Sequence, residues 1–148
     1  MAVREQTLAE YRIFTIRKLP TIDVERDLEW VCRSFAFMEP RDKKRTAYSI
    51  FRTIVDTART NEGLSSDQLA EKLALSRGTM IHHLNKMIKS GLVIRHESQY
   101  KLRGRSLKST IEEVRRDINR IFDDLRNVAM TIDDSLGLVS RQDYRGES

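Results

Sequence analysis

The fold is decided by residues 75–93, which read LSRGTMIHHLNKMIKSGLV. Ser76 is a typical N-cap residue, and Gly91 is a typical residue just beyond the end of a helix. A helix is therefore predicted over residues 76–90. With about 100° between successive residues, its large apolar side chains share one face and are expected to enter a core. These side chains are Met80, Leu84, Met87 and Ile88.

The opposite face of this helix is polar and basic. It carries donors and acceptors of the kinds that read base edges in the major groove of DNA. A glycine inside a helix costs about 1 kcal/mol relative to alanine, and at residue 78 it would permit close approach to a ligand. A solvated polar face is the alternative interpretation. The candidate DNA contacts are Ser76, Arg77, Gly78, Thr79, His82, Asn85, Lys86 and Lys89.

The flanking segments fit a helix-turn-helix with a β-hairpin. Upstream, Ser65 or Ser66 can cap a short helix over residues 67–73. Downstream, residues 92–95 and 99–103 form two short β-like runs that residues 96–98 connect. Cations here would contact phosphates beside a groove. They are Arg95, His96, Lys101, Arg103 and Arg105.

Residues 64–103 resemble the winged helix-turn-helix of the ArsR-like and MarR-like transcription regulators. Two segments carry the resemblance, Leu69-Ala70-Glu71-Lys72-Leu73 and the stretch over residues 75–93. The resemblance implies a mainly α fold with a small β-hairpin wing. It also implies binding to double-stranded DNA, with recognition helix 76–90 in the major groove and wing 92–103 on the backbone.

Two helices are predicted before this motif. Spacings of three and four residues predict the first over residues 23–38. The second is expected to follow Pro40 and run to about Thr60, with Gly63 in a left-handed conformation after it. A basic run at its start is a weaker candidate for DNA-backbone contact, with a solvated run as the alternative. That run is Arg41, Lys43, Lys44 and Arg45.

A long helix over about 106–135 follows, and it carries an apolar heptad stripe. The steps between its members alternate between four and three residues, which is typical of a coiled coil and predicts dimerisation. Packing on its own domain is the alternative, and parallel and antiparallel pairing are both open. The stripe consists of Leu107, Ile111, Val114, Ile118, Ile121, Leu125, Val128 and Ile132.

The distribution of charge favours a nucleic-acid partner for the middle of the chain. The 148 residues carry a formal net charge of +5. Residues 41–105 hold fourteen Lys and Arg against six Asp and Glu, a net charge of +8, and the flanking segments are slightly acidic. This asymmetry is the electrostatic pattern expected of a phosphate-binding module.

Other classes of protein are not indicated. No apolar run approaches the roughly 20 residues that span a bilayer, the N-terminus lacks a signal-peptide pattern, and a cytoplasmic location is expected. Cys32 is a lone cysteine, expected as a buried thiol. We expect no enzyme, cofactor or metal site, since no nucleophile–base pair, phosphate loop or ligand cluster is present. His82 and His83 are neighbours that point about 100° apart and cannot easily share an ion.

The sequence thus predicts four parts and one function. We expect an N-terminal extension over residues 1–40, which is partly helical and packs on the dimer, and a DNA-binding domain over residues 41–105. The dimerisation helix is expected over residues 106–136, and a flexible tail over residues 137–148. We expect a sequence-specific homodimeric transcription regulator, a repressor, with a small-molecule effector left open. The alternatives are a winged-helix module for protein–protein contact in transcription or chromosome machinery, and a nonspecific chromatin protein.

Overall fold

The fold is mainly helical, with one small antiparallel sheet and a long C-terminal helix. A computed structural model describes residues 10–138 apart from Leu19, Thr21, Pro40 and Lys43. The fold class predicted from the sequence is confirmed. In this part of the chain the elements are α1 Val24–Ser34, α2 Thr46–Thr57, β1 Leu64–Ser65, α3 Ser66–Leu73, α4 Arg77–Lys89, β2 Val93–His96, β3 Gln99–Leu102 and α5 Leu107–Leu136.

Helix α1 is shorter than the sequence predicts. Asp23 caps it, accepting a hydrogen bond from the Glu25 N–H at 3.0 Å. The helix ends at Ser34 because Ala36 adopts a left-handed conformation with φ 62°. The N–H of Ala36 donates to the Arg33 carbonyl, and the N–H of Phe37 donates to the Cys32 carbonyl, a pair of bonds that closes a helix. The predicted helix over 23–38 is therefore wrong at its C-terminal end.

Helix α2 begins six residues after Pro40, so the prediction of a helix directly after that proline is wrong. The Asp42 carboxylate accepts hydrogen bonds from the N–H groups of Thr46 and Ala47, at 3.2 and 3.1 Å. An anion at this end complements the helix dipole, whereas the predicted basic run would oppose it. The described residues of that run, Arg41 and residues 44–45, precede the helix.

The turn after α2 also differs from the prediction at residue 63. Asn61, and not Gly63, takes the left-handed conformation, with φ 56°. Gly63 is required for a different reason, because a Cβ placed there would lie 2.8 Å from the Cβ of Gln99. The glycine thus lets the chain approach strand β3 closely.

The helix-turn-helix pair forms as predicted, from local caps. Ser65 and Gln68 make a capping box at the start of α3, with each side chain accepting from the other residue's N–H. Ala74 then takes a left-handed conformation, φ 52°, and ends α3. Ser76 caps α4 by accepting from the Thr79 N–H at 3.2 Å, and Gly91, with φ 85°, follows its end.

The sheet has the strand order β1-β3-β2, with both pairs antiparallel. Strand β1 was not predicted, since two residues are too few to give a pattern. The hairpin β2–β3 was predicted, but its connection contains two residues, not three. Both, Glu97 and Ser98, have positive φ values of 50° and 67°, as a tight hairpin turn requires.

The described chain divides into two compact units, one up to Val114 and one from Arg115. In the first, α2, α3, α4 and the sheet share a core whose largest fully buried side chains include Phe51, Ile54, Leu69, Met80 and Leu84. The second consists of the remainder of α5, in which residues 119–132 are exposed. No helix of the described residues is long and apolar enough to cross a membrane. The predicted tail from residue 139 onward lies outside the described residues.

Candidate nucleic-acid interface

Helix α4 has one buried face and one exposed face. Met80, Leu84 and Met87 are fully buried and fix the helix against the core. The side chains predicted to read DNA lie on the other faces, and almost all of them are exposed. The exposed members of the predicted set are Ser76, Arg77, Gly78, Thr79, His82, Asn85 and Lys89.

The N-terminal turn of α4 is open to an anion. Its first turn contains no acidic residue, and Arg77 is exposed within it. Nothing lies within 4 Å of the place where a Cβ would stand on Gly78. The Ser76 hydroxyl accepts from the Thr79 N–H and donates to the Thr79 hydroxyl at 2.8 Å, which holds both side chains in place. The remaining N–H groups and the helix dipole favour a negative charge here.

Lys86 differs from the other predicted contacts on α4. It is half-buried, and its Nζ lies 3.5 Å from an oxygen of Glu39, in the segment between α1 and α2. The ion pair directs this lysine towards that segment. Lys86 therefore lies at the side of the exposed face, and not at its centre.

The two adjacent histidines have different environments. His82 is exposed, whereas His83 is half-buried and its Nδ1 is buried without a hydrogen-bond partner. Desolvation, followed by the neighbouring His82, lowers the pKa of His83 and so favours its neutral form. The ring centroids are 5.5 Å apart. Among the described residues, no group of three or more His, Cys, Asp and Glu is placed to hold a metal ion.

The cations in and beside the hairpin differ in their exposure to solvent. Arg95, His96 and Arg105 are exposed, and the Arg95 guanidinium lies 5.8 Å from the centre of the Tyr100 ring. Lys101 is half-exposed. Arg103 is turned back, since its Nε lies 3.0 Å from an oxygen of Glu113 near the start of α5. The hairpin tip is thus the more accessible source of positive charge.

The residues of the basic run before α2 also differ in how accessible they are. Lys43 lies outside the described residues, and Lys44 is exposed. Arg45 is engaged within the chain, since its guanidinium lies 3.3 Å from Glu29 and 4.3 Å from the centre of the Tyr48 ring. Its Nε is buried without a hydrogen-bond partner. Arg45 thus holds α1 to α2.

Sequence reasoning missed the acidic partners of three predicted DNA contacts. Glu29 pairs with Arg45, Glu39 with Lys86, and Glu113 with Arg103. No pattern in the sequence connects these residues, because the pairs lie between different elements and at no helical spacing. The three acidic residues partly neutralise Arg45, Lys86 and Arg103, while Arg77, Lys89 and Arg95 stay exposed.

The apolar stripe of α5 is buried at its start and exposed afterwards. Val114 is 2% exposed, inside the first unit, and Leu107 and Ile118 are half-exposed. In the second unit, Leu125 and Val128 are 58% and 60% exposed. The other exposed members of the predicted stripe are Ile111, Ile121 and Ile132.

Residues 45–96 match the family model of a helix-turn-helix domain. The matched span runs from the residue before α2 to the end of β2, and it contains the two faces of α4 described above. It supports the assignment of a helix-turn-helix regulator with DNA as its partner. No curated protein and no solved structure was found to match the chain.

Proposed function

We propose that this protein is a site-specific, double-stranded DNA-binding transcription regulator of the winged, ArsR-like or MarR-like type. It acts as a homodimer and represses transcription by occupying promoter DNA. Helix α4 enters the major groove, and the hairpin β2–β3 serves as the wing on the sugar–phosphate backbone. The proposal assigns a binding function to the chain and no catalysis.

The exposed face of α4 carries this proposal. Arg77, His82 and Asn85 are exposed on a helix whose opposite face is fully buried, in a segment that matches a helix-turn-helix domain. Arginine pairs with guanine and asparagine with adenine through two hydrogen bonds each, so these residue types suit direct reading of bases. Each such pair is worth about 1–3 kcal/mol of discrimination against a wrong base.

The wing and the first turn of α4 supply contacts that position the protein. Arg95 and Arg105 are exposed cations on or beside the hairpin. The first N–H groups of a helix have no intrahelical acceptor and can donate to a phosphate, so the first turn of α4 suits one. These contacts bind any sequence and fix the register of α4 in the groove. The +8 charge of residues 41–105 supports them.

The exposed apolar stripe on α5 supports the proposed dimer. A continuous helix with Leu125 and Val128 more than half exposed has a face that water solvates poorly. Two copies of the domain would read two half-sites, and pairing them raises affinity through effective concentration.

Selection from a pool of random DNA duplexes, at low and near-physiological salt, tests the proposal. We expect the wild-type protein to enrich one inverted repeat, and Arg77→Ala and His82→Ala to lose that enrichment. Arg26→Ala is the matched control, because Arg26 is an exposed arginine on α1 and should leave selection unchanged.

The outcomes distinguish the competing functions. Binding with steep salt dependence but no enriched sequence would indicate a nonspecific chromatin protein. No binding at either salt concentration would contradict direct DNA recognition and favour a module for protein–protein contact. Enrichment that survives both α4 substitutions would place the reading surface elsewhere on the protein.

A further inference from the structure

The segment over residues 10–18, named here the N-terminal strap, packs on the first unit at the C-terminal ends of α1 and α4. The N–H of Phe14 donates a hydrogen bond to the carbonyl of Ser34, the last residue of α1, at 2.8 Å. Tyr11 lies beside Gly91, where an added Cβ would stand 3.1 Å from a carbon of the Tyr11 ring. The strap is thus held against both helix ends.

A cavity of about 250 Å³ lies where the strap meets these two helix ends. Three segments form its wall, namely the strap, the turn after α1 and the end of α4. The cavity is smaller than the roughly 300–1,000 Å³ pockets that hold drug-sized ligands, so it suits a smaller molecule. Its charged and aromatic lining includes Glu10, Arg12, Phe35, Glu39, Lys86 and Lys89.

The charged side chains around this cavity have both signs, and three of them are not paired within the described chain. Lys86 and Glu39 face each other, with Nζ and a carboxylate oxygen 3.5 Å apart. Glu10, Arg12 and Lys89 are exposed and make no ion pair with any other described residue. Two cations and one carboxylate are therefore available to a ligand in the cavity.

A ligand with a single charge would be opposed by part of this lining. An anion would be attracted by Arg12 and Lys89 but repelled by Glu10, and a cation would meet the reverse. A zwitterion satisfies both signs, because its carboxylate and its ammonium group can each form a charge-assisted hydrogen bond, which is a strong type of hydrogen bond. The half-buried Phe35 adds an apolar surface for the rest of the molecule.

From this lining we propose that the cavity binds a free α-amino acid with an apolar side chain. Arg12 and Lys89 bind its carboxylate, Glu10 binds its ammonium group, and its side chain packs on Phe35. The cavity is remote from the first turn of α4, since Arg77 and Lys89 lie about 18 Å apart along the helix axis at about 1.5 Å per residue. Binding of an amino acid here therefore goes beyond the proposed function and does not depend on contact with DNA.

Isothermal titration calorimetry on the full-length protein tests this site. The probes are the free L-forms of alanine, valine, leucine, isoleucine, methionine, phenylalanine and tryptophan. We expect at least one of them to bind with a Kd below about 1 mM. For the tightest binder, the matching acid without the amino group and the matching amine without the carboxylate should each bind at least about tenfold more weakly, because each lacks one charge-assisted contact.

Substitutions in the strap locate the ligand. Arg12→Ala and Glu10→Gln should each weaken binding by at least about tenfold, since each removes one charged partner of the amino acid. Both residues are exposed, so the variants should fold, and circular dichroism checks this. Arg17→Ala is the matched control, because Arg17 is an exposed arginine of the same strap outside the cavity wall and should leave the affinity unchanged.

Failure of every amino acid to bind would overturn the inference. Binding that survives either Arg12→Ala or Glu10→Gln, or that falls equally in Arg17→Ala, would overturn the assigned site. If the matching acid binds as tightly as the amino acid, the ligand is an organic anion and the zwitterion is wrong. No DNA is present in these titrations, so a negative result leaves the proposed function to the selection experiment.

Discussion

The arginines of the hairpin differ in whether an acidic side chain lies beside them. This difference should be measurable in the salt dependence of DNA binding. Arg95 is exposed, whereas Arg103 lies 3.0 Å from Glu113. A phosphate contact contributes about −0.9 to the slope of log K against log salt concentration. Arg95→Ala in a dimer should therefore reduce the steepness by about 2, counting both copies.

Arg103→Ala is the matched comparison for this measurement. Because Glu113 already neutralises Arg103, the slope should change by less than in the Arg95 variant. Fluorescence anisotropy with one duplex at several salt concentrations gives both slopes. Equal changes in the two variants would show that Arg103 leaves Glu113 when DNA binds.

His83 should make the stability of the protein depend on pH. Its pKa is lowered in the folded state, mainly by desolvation and then by His82, so the unfolded chain binds a proton first as pH falls. The free energy of unfolding should therefore decline as pH falls through the ordinary histidine pKa of about 6.5, until the folded state is protonated too.

Urea denaturation between pH 7.5 and 5.5 tests this expectation. His83→Gln should reduce the decline, since it removes the group whose proton affinity differs between the two states. The control is His96→Gln, because His96 is exposed on the hairpin and should leave the decline intact. An unchanged pH dependence in His83→Gln would assign the effect to another group.

At the scale of elements, the end of α1 offers a test of backbone conformation. Ala36 has φ 62°, a left-handed conformation that an L-residue other than glycine adopts at a cost of about 1–2 kcal/mol. Ala36→Gly should raise the free energy of unfolding, by about 1 kcal/mol, despite the greater freedom of glycine in the unfolded chain.

The matched control is Ala58→Gly at the end of α2, where φ is −61°. Alanine is unstrained there, so glycine should be neutral or destabilising by less than about 1 kcal/mol. Chemical denaturation of both variants gives the comparison. If Ala36→Gly is as destabilising as the control, the left-handed residue does not limit the stability of this turn.

The same elements show which parts of the fold a sequence can predict. Helix α4 and its face were predictable because Ser76, Gly91 and the apolar spacing are all local signals. The boundaries of α1 and α2 were not, because they depend on a left-handed alanine and on the Asp42 side chain reaching forward to Thr46. A left-handed alanine has no distinctive residue type, and strand β1 exists only through its pairing with β3.

The candidate site was likewise predictable where it depends on local signals, and unpredictable where it depends on tertiary contacts. The exposed side chains of α4 follow from helical periodicity alone. The engagement of Arg45 and Arg103 does not, since Glu29 and Glu113 lie on other elements. Composition therefore overstated the number of free cations, since the tertiary structure pairs Arg45, Lys86 and Arg103 with acidic residues.

At the scale of the whole molecule, the two units divide the work that the proposed regulator needs. The first unit up to Val114 contains the helix-turn-helix and the hairpin, and the second contains the exposed stripe of α5. In the proposed dimer each first unit would contact one half-site. Linking two such contacts can raise the affinity for an inverted repeat by about 10²–10⁴-fold without any new contact to DNA.

Leu125→Asp should therefore separate folding from function. A carboxylate at the centre of the stripe would be buried without a partner in the dimer, so light scattering should show a monomer. Circular dichroism should still show a folded helical protein, since Leu125 is 58% exposed in the single chain and contributes little to its core. Affinity for the selected inverted repeat should fall by at least about 10²-fold, while affinity for an isolated half-site stays near the wild-type value.

Met130→Asp is the matched control, because Met130 is exposed but lies on the opposite side of α5 from the stripe. It should remain a dimer and bind the inverted repeat within about twofold of wild type, since its carboxylate stays in water. If Leu125→Asp also remains a dimer with full affinity, the subunits associate through another surface. If it is monomeric yet binds the repeat as tightly as wild type, the protein recognises DNA as a single copy, and the exposed stripe on α5 serves a different partner.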